Sequence, residues 1–588
     1  VDEGLFVQDS IKFKKLKSGG EKFSKVFQKS LWFLTYLNYS DGVKGCFDTL
    51  CNPYEYYSDK VIREVNIIIL EPFGTDVYNP QKTPDKKIQK VGNKMQVKTR
   101  EWVIKQDLFF REGQLFDPKS IFDSERMLWQ DQNFKDVRIN AKEVDDVFVD
   151  IDVIVRDRWS FRIQSSVEVS RIQIGLGFAN LFGVPQILKA YVNLNYNKNN
   201  IYGISLSYRY RNIKRSRISL SADYDHDKFS NRAGIGAYRT FDNINMRWAG
   251  SADFRFSSRQ LGVADILNPN QPTGYLRSLN HNYWVSASLP IKNSRLFSNS
   301  HRLILSYSFK RNDFIKKPFT RSNDFAEVYL DNYSSLAGIG FSKWDFYTDQ
   351  NVYLLGIKEY FPKGLSVAVL AGSTGDEDFA NRFYSGLYLN YGIMIKKAGF
   401  LNINSTYGGY VFKGNYDQFS WRLRLNYFTD AYKMGKANFR QLFRVQTIMS
   451  FNRPTGREIN LNSGLGFNEL NTPSYRGTHS LLFRLEENFI ANFKVLGFNP
   501  SVFLFGNFGF VSKYDTRPFA GIESSQMIGF GLRLRNASLG MDLIEISLGY
   551  FPTLPKGLNH FRFGADYTNR NIPINTNLFN PNYMNLDL

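Results

Sequence analysis

A chain of 588 residues is too long for one ordinary domain, and this one joins an aromatic fraction of 16% to a charged fraction of 22% and a mean hydropathy of -0.35. It contains no uncharged apolar run of about 18 residues, which excludes a membrane helix by length but leaves short alternating barrel strands open. The formal charge of +20 invites a nucleic-acid reading. Its Lys and Arg are dispersed through strands and loops, however, so a wet lumen or an anionic lipid rim accounts for them and no nucleic-acid partner is expected.

Residues 1–58 read as a basic N-terminal extension. Lys14, Lys15 and Lys17 precede Gly19-Gly20, and a helix is expected from Glu21 to Leu37. Cys46 and Cys51 are the only cysteines and stand in one loop. In an oxidising compartment they would form a local disulfide, with free thiols as the alternative. No signal peptide is visible at Val1, so a cell-envelope chain would be the mature form.

From Val61 the pattern becomes strand, two helices, two strands. Val61–Leu70 is a β-rich apolar run. Thr99 is a plausible N-cap for a helix bearing Trp102, Ile104, Leu108 and Phe109, and Gly113 breaks it. A second helix is expected from Pro118 to Gln130, burying Ile121, Met127 and Leu128. Strands at Lys135–Lys142 and Phe148–Trp159 complete an α/β module over residues 59–158.

Residues 159–588 then carry a period-two signal almost to the end. Tyr202, Ile204, Leu206, Tyr208 and Tyr210 oppose Gly203, Ser205, Ser207, Arg209 and Arg211; Ile528, Phe530, Leu532 and Leu534 oppose Gly529, Gly531, Arg533 and Arg535. A β-sandwich would bury such apolar faces and a membrane barrel would turn them to lipid. The length of the repeat, uninterrupted by helix, favours one transmembrane antiparallel β-barrel. The pattern supports up to about 20 strands, the raw count of about 21 being odd where bacterial barrels are even. Five strands are expected after residue 479. The stretches near 257–281, 311–334 and 451–478 read as extracellular loops, and 213–216 and 537–540 as periplasmic turns.

Several motifs resemble the BamA/TamA-type outer-membrane assembly and translocation superfamily. Residues 59–158 look like a polypeptide-transport-associated (POTRA) domain, with Phe110-Arg111-Glu112-Gly113, Ser124-Glu125-Arg126-Met127-Leu128 and Phe134-Lys135-Asp136-Val137 in matching order. Val155-Arg156-Asp157-Arg158-Trp159 is similar to family members just before the barrel, and Asn180-Leu181-Phe182-Gly183 to them after an early strand. Tyr475-Arg476-Gly477 stands where the family's Arg-Gly motif folds into the lumen, followed by Leu485-Glu486-Glu487-Asn488-Phe489 and by Asn507 where an Asp is usual. The resemblance implies a barrel of 16 strands and a loop-locking set of Tyr475, Arg476, Gly477, Glu486 and Asn507. Alternation puts Glu486 on the lumen face, where Arg476 would pair with it. Three departures argue against the role of central insertase: Asn507 itself, the single POTRA-like module, and a polar tail of some 20 residues beyond the last strand, Phe561–Tyr567, in place of a terminal aromatic.

Nothing points to catalysis. His226, His281, His301, His479 and His560 lack metal-like spacing. Asp376-Glu377-Asp378 reads as a solvated loop in preference to a calcium site. No nucleophile and base are paired by pattern, so the chain is expected not to be an enzyme and to need no cofactor. The expected function is assembly or translocation of unfolded or β-rich client polypeptides in the bacterial outer membrane, with the N-terminal region in the periplasm. A barrel subunit of a larger envelope or secretion complex and a passive porin are the alternatives. Expected partners are outer-membrane lipid, clients, and envelope proteins or lipoproteins docking through residues 1–158.

Overall fold

A computed structural model describes residues 54–568, except 132, 168–170, 196–200, 228–229, 244, 261–274, 292–300, 318–328, 378–380, 413, 453–457, 462–474, 513–519, 537–542 and 556–557. The expected helix at 21–37 and the Cys46–Cys51 disulfide fall outside the described residues.

The α/β unit comprises β1 (Val61–Leu70), α1 (Lys87–Lys94), α2 (Glu101–Asp107), α3 (Pro118–Gln130), β2 (Phe134–Glu143) and β3 (Phe148–Asp157). Its sheet has the order β1-β3-β2, with β3 parallel to β1 and antiparallel to β2. Central β3 puts Val149, Ile151, Val153 and Val155 into a core shared with Ile62, Ile104, Leu108, Ile121 and Leu128. The unit begins before residue 59, because Tyr54 belongs to that core and its hydroxyl donates to the Ile139 carbonyl at 2.9 Å. Helix α3 starts where the sequence puts it: Pro118 occupies the first turn and the Asp117 carboxylate accepts from the Lys119 and Ser120 N–H groups.

Several expectations change: α2 ends at Asp107, short of Leu108 and Phe109, and Met127 of α3 is half-buried. Thr99 does not cap α2, which begins at Glu101; its hydroxyl donates to Asp157 at 2.7 Å instead, so a buried tertiary partner takes the group that a cap would use. Helix α1 is an additional element that the strand-helix-helix-strand reading passes over.

Beyond residue 159, twenty antiparallel strands, from Phe161–Val167 to Phe561–Thr568, close into a barrel among the described residues. A further segment, Tyr432–Met434, only prolongs Asn415–Phe428 along the same neighbour, Ala437–Phe451. The number is even and exceeds the 16 implied by the resemblance, and interruptions of this kind make pattern counting overshoot. Five strands follow residue 479, as expected. Alternation holds: Ile528 and Phe530 lie on the outer face at 47% and 55% exposure, while Arg533 and Arg535 are buried on the inner one. An apolar exterior over a charged interior is the pattern a membrane barrel requires, since lipid offers no partner to a polar side chain.

Candidate functional site

The seam, where the barrel's ends meet, is its weakest ladder. Phe161–Val167 pairs with Phe561–Thr568 through two register pairs among the described residues, Val167 with Ala565 and Ser166 with Asp566. Phe161–Val167 makes seven pairs on its other side, and the tenth and eleventh strands, Asn332–Gln350 and Lys358–Asp376, make nineteen with each other. Register pairs carry the interstrand hydrogen bonds, so among the described residues this junction is the least secured of the barrel.

The α/β unit is seated on barrel turns at the end where the first strand begins. Asn212 donates to the Gln106 carbonyl at 3.1 Å, Arg217 to the Asp107 carbonyl at 3.0 Å, and Asn243 to Asp123 at 2.7 Å. Arg211 forms an ion pair with buried Asp131 at 2.6 Å, and the Arg217 guanidinium lies 3.8 Å over the Phe109 ring. Motifs that carried the resemblance converge here. Asn180 donates to the Thr99 hydroxyl at 2.8 Å, Thr99 to Asp157, and the Arg100 N–H to the Gly183 carbonyl at 3.1 Å.

Burial raises the Asp157 carboxyl from 3.8 to about 6, against hydrogen bonds from the Thr99 N–H and hydroxyl that lower it. The fold therefore holds a proton that the unfolded chain releases sooner. The protonated form's contribution is complete below the unfolded value and is lost as pH rises through the folded one. The difference amounts to roughly 3 kcal/mol at 1.36 kcal/mol per pKa unit. Between about pH 4 and 6 the unfolding temperature of the α/β unit in the full chain, followed by tryptophan emission, should fall, and Asp157→Asn should flatten that slope. Equal slopes in the two proteins would refute the assignment.

The tenth and eleventh strands extend below the wall. Pairing with the preceding strand stops at Lys343 and with the following one at Gly364, so residues 344–363 form a hairpin paired only with itself. Gly364, at φ +126°, supplies a backbone conformation closed to most L residues where the eleventh strand leaves the sheet. The hairpin turns inward. Tyr347, Tyr353 and Phe361 pack against Phe400, Phe428 and Leu442 on the inner face of the thirteenth to fifteenth strands, and the Phe361 and Phe428 ring centroids lie 4.8 Å apart. Asp349 forms an ion pair with buried Arg440 at 2.9 Å. At the tip, Leu355 packs on Ile490 and Leu543, and its carbonyl accepts from Arg535 at 3.1 Å. The buried Glu359 carboxylate accepts from the N–H groups of Val352, Tyr353 and Leu354 and fixes the turn. From below, α3 closes on the hairpin, with Arg126 4.0 Å over the Phe346 ring, Phe122 edge-on to Tyr360, and Lys358 3.7 Å from Glu125. Hairpin and α/β unit together form a two-layer floor at this mouth.

At the other end, residues 459–461 and 475–477, the described parts of the Arg-Gly stretch, lie against the inner wall. Ile459–Asn460 pairs with Arg476–Gly477, and Ile459, Leu461 and Tyr475 pack on Leu482, Phe503, Phe505 and Met527. Gly477 makes the closest approach: a Cβ there would lie 2.1 Å from the Ser512 carbonyl oxygen. The Arg476 side chain is exposed. Arg476 and Glu486 are not brought together. Glu486, 2% exposed, pairs with Arg533 at 2.7 Å and with Arg484 at 3.4 Å, and accepts from Asn488 at 3.0 Å. Arg533 also binds Glu545 at 2.7 Å and lies 3.6 Å over Phe503. Asn507 stands opposite Arg484, buried, with neither amide atom hydrogen-bonded among the described residues.

Sequence reading missed the floor hairpin and α1. For the hairpin the signal was length: 19 residues in each strand, where about 9–11 cross a bilayer. For α1 it was Lys-Ile-Gln-Lys-Val-Gly-Asn-Lys-Met, which has helical rather than strand spacing.

No family model matches the sequence, and no curated protein does. Among solved structures, BamA from Haemophilus ducreyi lacking POTRA domains 1–3 is similar at TM-score 0.33 and 11% identity over 86% of this chain and 84% of that one. CdiB from Escherichia coli gives 0.42 and 11% over 86% and 76%, and CdiB from Acinetobacter baumannii 0.40 and 12% over 93% and 96%. At such scores a likeness carries no functional weight.

Proposed function

We propose that this chain is an outer-membrane barrel that assembles or translocates β-rich polypeptides, handling clients at the seam between its first and last strands. The observation that carries the reading is that seam, with two register pairs among the described residues where its neighbours make seven and more. Inserting a client there exchanges a weak pairing for a longer one and buries apolar strand faces in lipid, so no nucleotide is needed. The α/β unit, POTRA-like in its motifs, ends its sheet on β2, where an extended segment could add in place of the Tyr54 and Tyr57 hydroxyls that now bind the Ile139 and Ala141 carbonyls. A passive porin fits poorly with a mouth floored by both a hairpin and a domain.

A disulfide staple tests this directly. In a Cys46→Ser, Cys51→Ser background, Val167→Cys with Ala565→Cys places thiols at a register pair. Oxidation should abolish client assembly and reductant should restore it, with either single cysteine inert. Assembly that continues in the fully stapled protein would sink the proposal. Depletion then sorts the roles: loss of many outer-membrane proteins indicates an insertase, loss of one secreted client an exporter, and altered solute uptake alone would reject both.

A further inference from the structure

We infer that residues 82–98, centred on α1, form a lipid-contacting helix that lies on the anionic phospholipid surface beside the seam; this rests on the membrane-barrel reading above. Helix α1 has three distinct sides. Gly92 and Asn93 face the unit: Gly92 sits on the Phe73 ring, and Asn93 accepts from the Phe73 N–H and donates to the Phe73 carbonyl and to Glu71. Ile88, Val91 and Met95, at 78%, 58% and 70% exposure, form an apolar stripe uncovered among the described residues. Lys86, Lys87, Lys90 and Lys94 are exposed along the adjoining side, with Lys82 and Lys98 flanking. No acidic residue lies between Lys86 and Lys98.

The helix's place in the fold selects lipid as the occupant of that stripe. Gln96 donates to the Arg158 carbonyl and to the Ser160 hydroxyl and accepts from the Ser160 N–H, one residue before the first barrel strand. Asn180, in the turn after the second strand, donates to the Val97 carbonyl. An aromatic chain continues from the helix's support to the barrel's outer face: Phe73 to Trp159 at 6.2 Å, Trp159 to Phe161 at 5.8 Å, and Phe161 to Phe178 at 5.2 Å. Phe178 is exposed on that face with Phe161 half-buried beside it, and Phe182 is exposed in the turn. The stripe therefore stands at the rim of the lipid-facing band, at the level where aromatic side chains mark a membrane interface. A lysine-rich helix with one apolar side, held there, lies in the interfacial plane. Each lysine near an anionic leaflet strengthens the attachment by roughly fivefold, from about 1 kcal/mol per charge. A cation-rich anchor fastened to the first strand would concentrate anionic lipid at the seam and hold the α/β unit level beneath it.

The test uses the full chain lacking Cys46 and Cys51, reconstituted into phosphatidylethanolamine–phosphatidylglycerol vesicles with brominated acyl chains. Single cysteines carry a bimane fluorophore at Val91, at Phe530 on the barrel's outer face, and at Asp146 in the turn between β2 and β3. Quenching at Val91 and Phe530 but not Asp146 is expected. The Val91 quenching should drop severalfold when phosphatidylcholine replaces phosphatidylglycerol, or in Lys86→Gln, Lys90→Gln, Lys94→Gln. Quenching at Phe530 with none at Val91 overturns the inference and leaves the membrane barrel intact; none at Phe530 overturns the barrel reading itself. Val91 quenching indifferent to lipid charge refutes the anionic surface. Protection of Val91 only after an unfolded polypeptide is added would assign the stripe to a client, not to lipid.

Discussion

Replacing residues 345–363 by Asn-Gly should convert this barrel into an open channel. Trp344 and Gly364 are register partners, so a two-residue turn can join them, and every pairing to neighbouring strands lies above that cut. The wall should therefore close normally, while single-channel conductance in planar bilayers rises severalfold and cells become permeable to large antibiotics. In the intact protein the hairpin is not a loosely breathing lid. Phe361, Phe400 and Phe428 are fully buried against one another, and burying each such side chain is worth about 1.5–3 kcal/mol. Arg440 is 1% exposed, and Asp349 is its ion-pair partner in the hairpin. Spontaneous opening must disrupt most of these contacts at once, so the resting channel should be nearly silent. Asp349→Ala gives an intermediate case, leaving a buried guanidinium without its carboxylate and raising the frequency of brief openings. If the shortened barrel conducts no more than the parent, the hairpin is not the floor.

Much of this architecture was legible because strand alternation is a local signal. Each residue's environment, lipid or lumen, is fixed by its parity, so Ile528 and Arg533 could be assigned to opposite faces without knowing any neighbour. The limits of α3 were legible for a similar reason: Asp117 and Pro118 act within one turn of themselves. What escaped were features decided by distant partners. Thr99 carries a good cap side chain, but Asp157, 58 residues away, claims its hydroxyl. Residues 344–363 alternate like any strand, and their inward course depends on where the neighbouring strands stop. Strand parity placed Glu486 in the lumen correctly, yet parity cannot say which of several lumen arginines reaches it.

Breaking the Glu486–Arg533 pair should have a large effect on the barrel's stability. Glu486 and Arg533 are each 2% exposed, and both lie on wall strands, His479–Ala491 and Ile522–Arg535. Arg484 stands opposite Arg444 in register, so Glu486 is the carboxylate that separates a cluster of guanidinium groups on this side of the lumen. Removing one partner from a buried pair costs about 3–5 kcal/mol, because the remaining charge is stranded without solvent. Glu486→Ala should thus lower markedly the temperature at which the folded barrel loses its compact migration in detergent gels. Arg533→Met should do the same by removing the 2.7 Å partner that Glu486 and Glu545 share. Arg476→Ala, at an exposed side chain, should shift it little. Two charge swaps then separate a wall knot from a loop lock. Glu486→Arg with Arg533→Glu should recover part of the lost stability, whereas Glu486→Arg with Arg476→Glu should recover none. Recovery by the second swap alone would return the pairing to the loop and dismiss the wall knot.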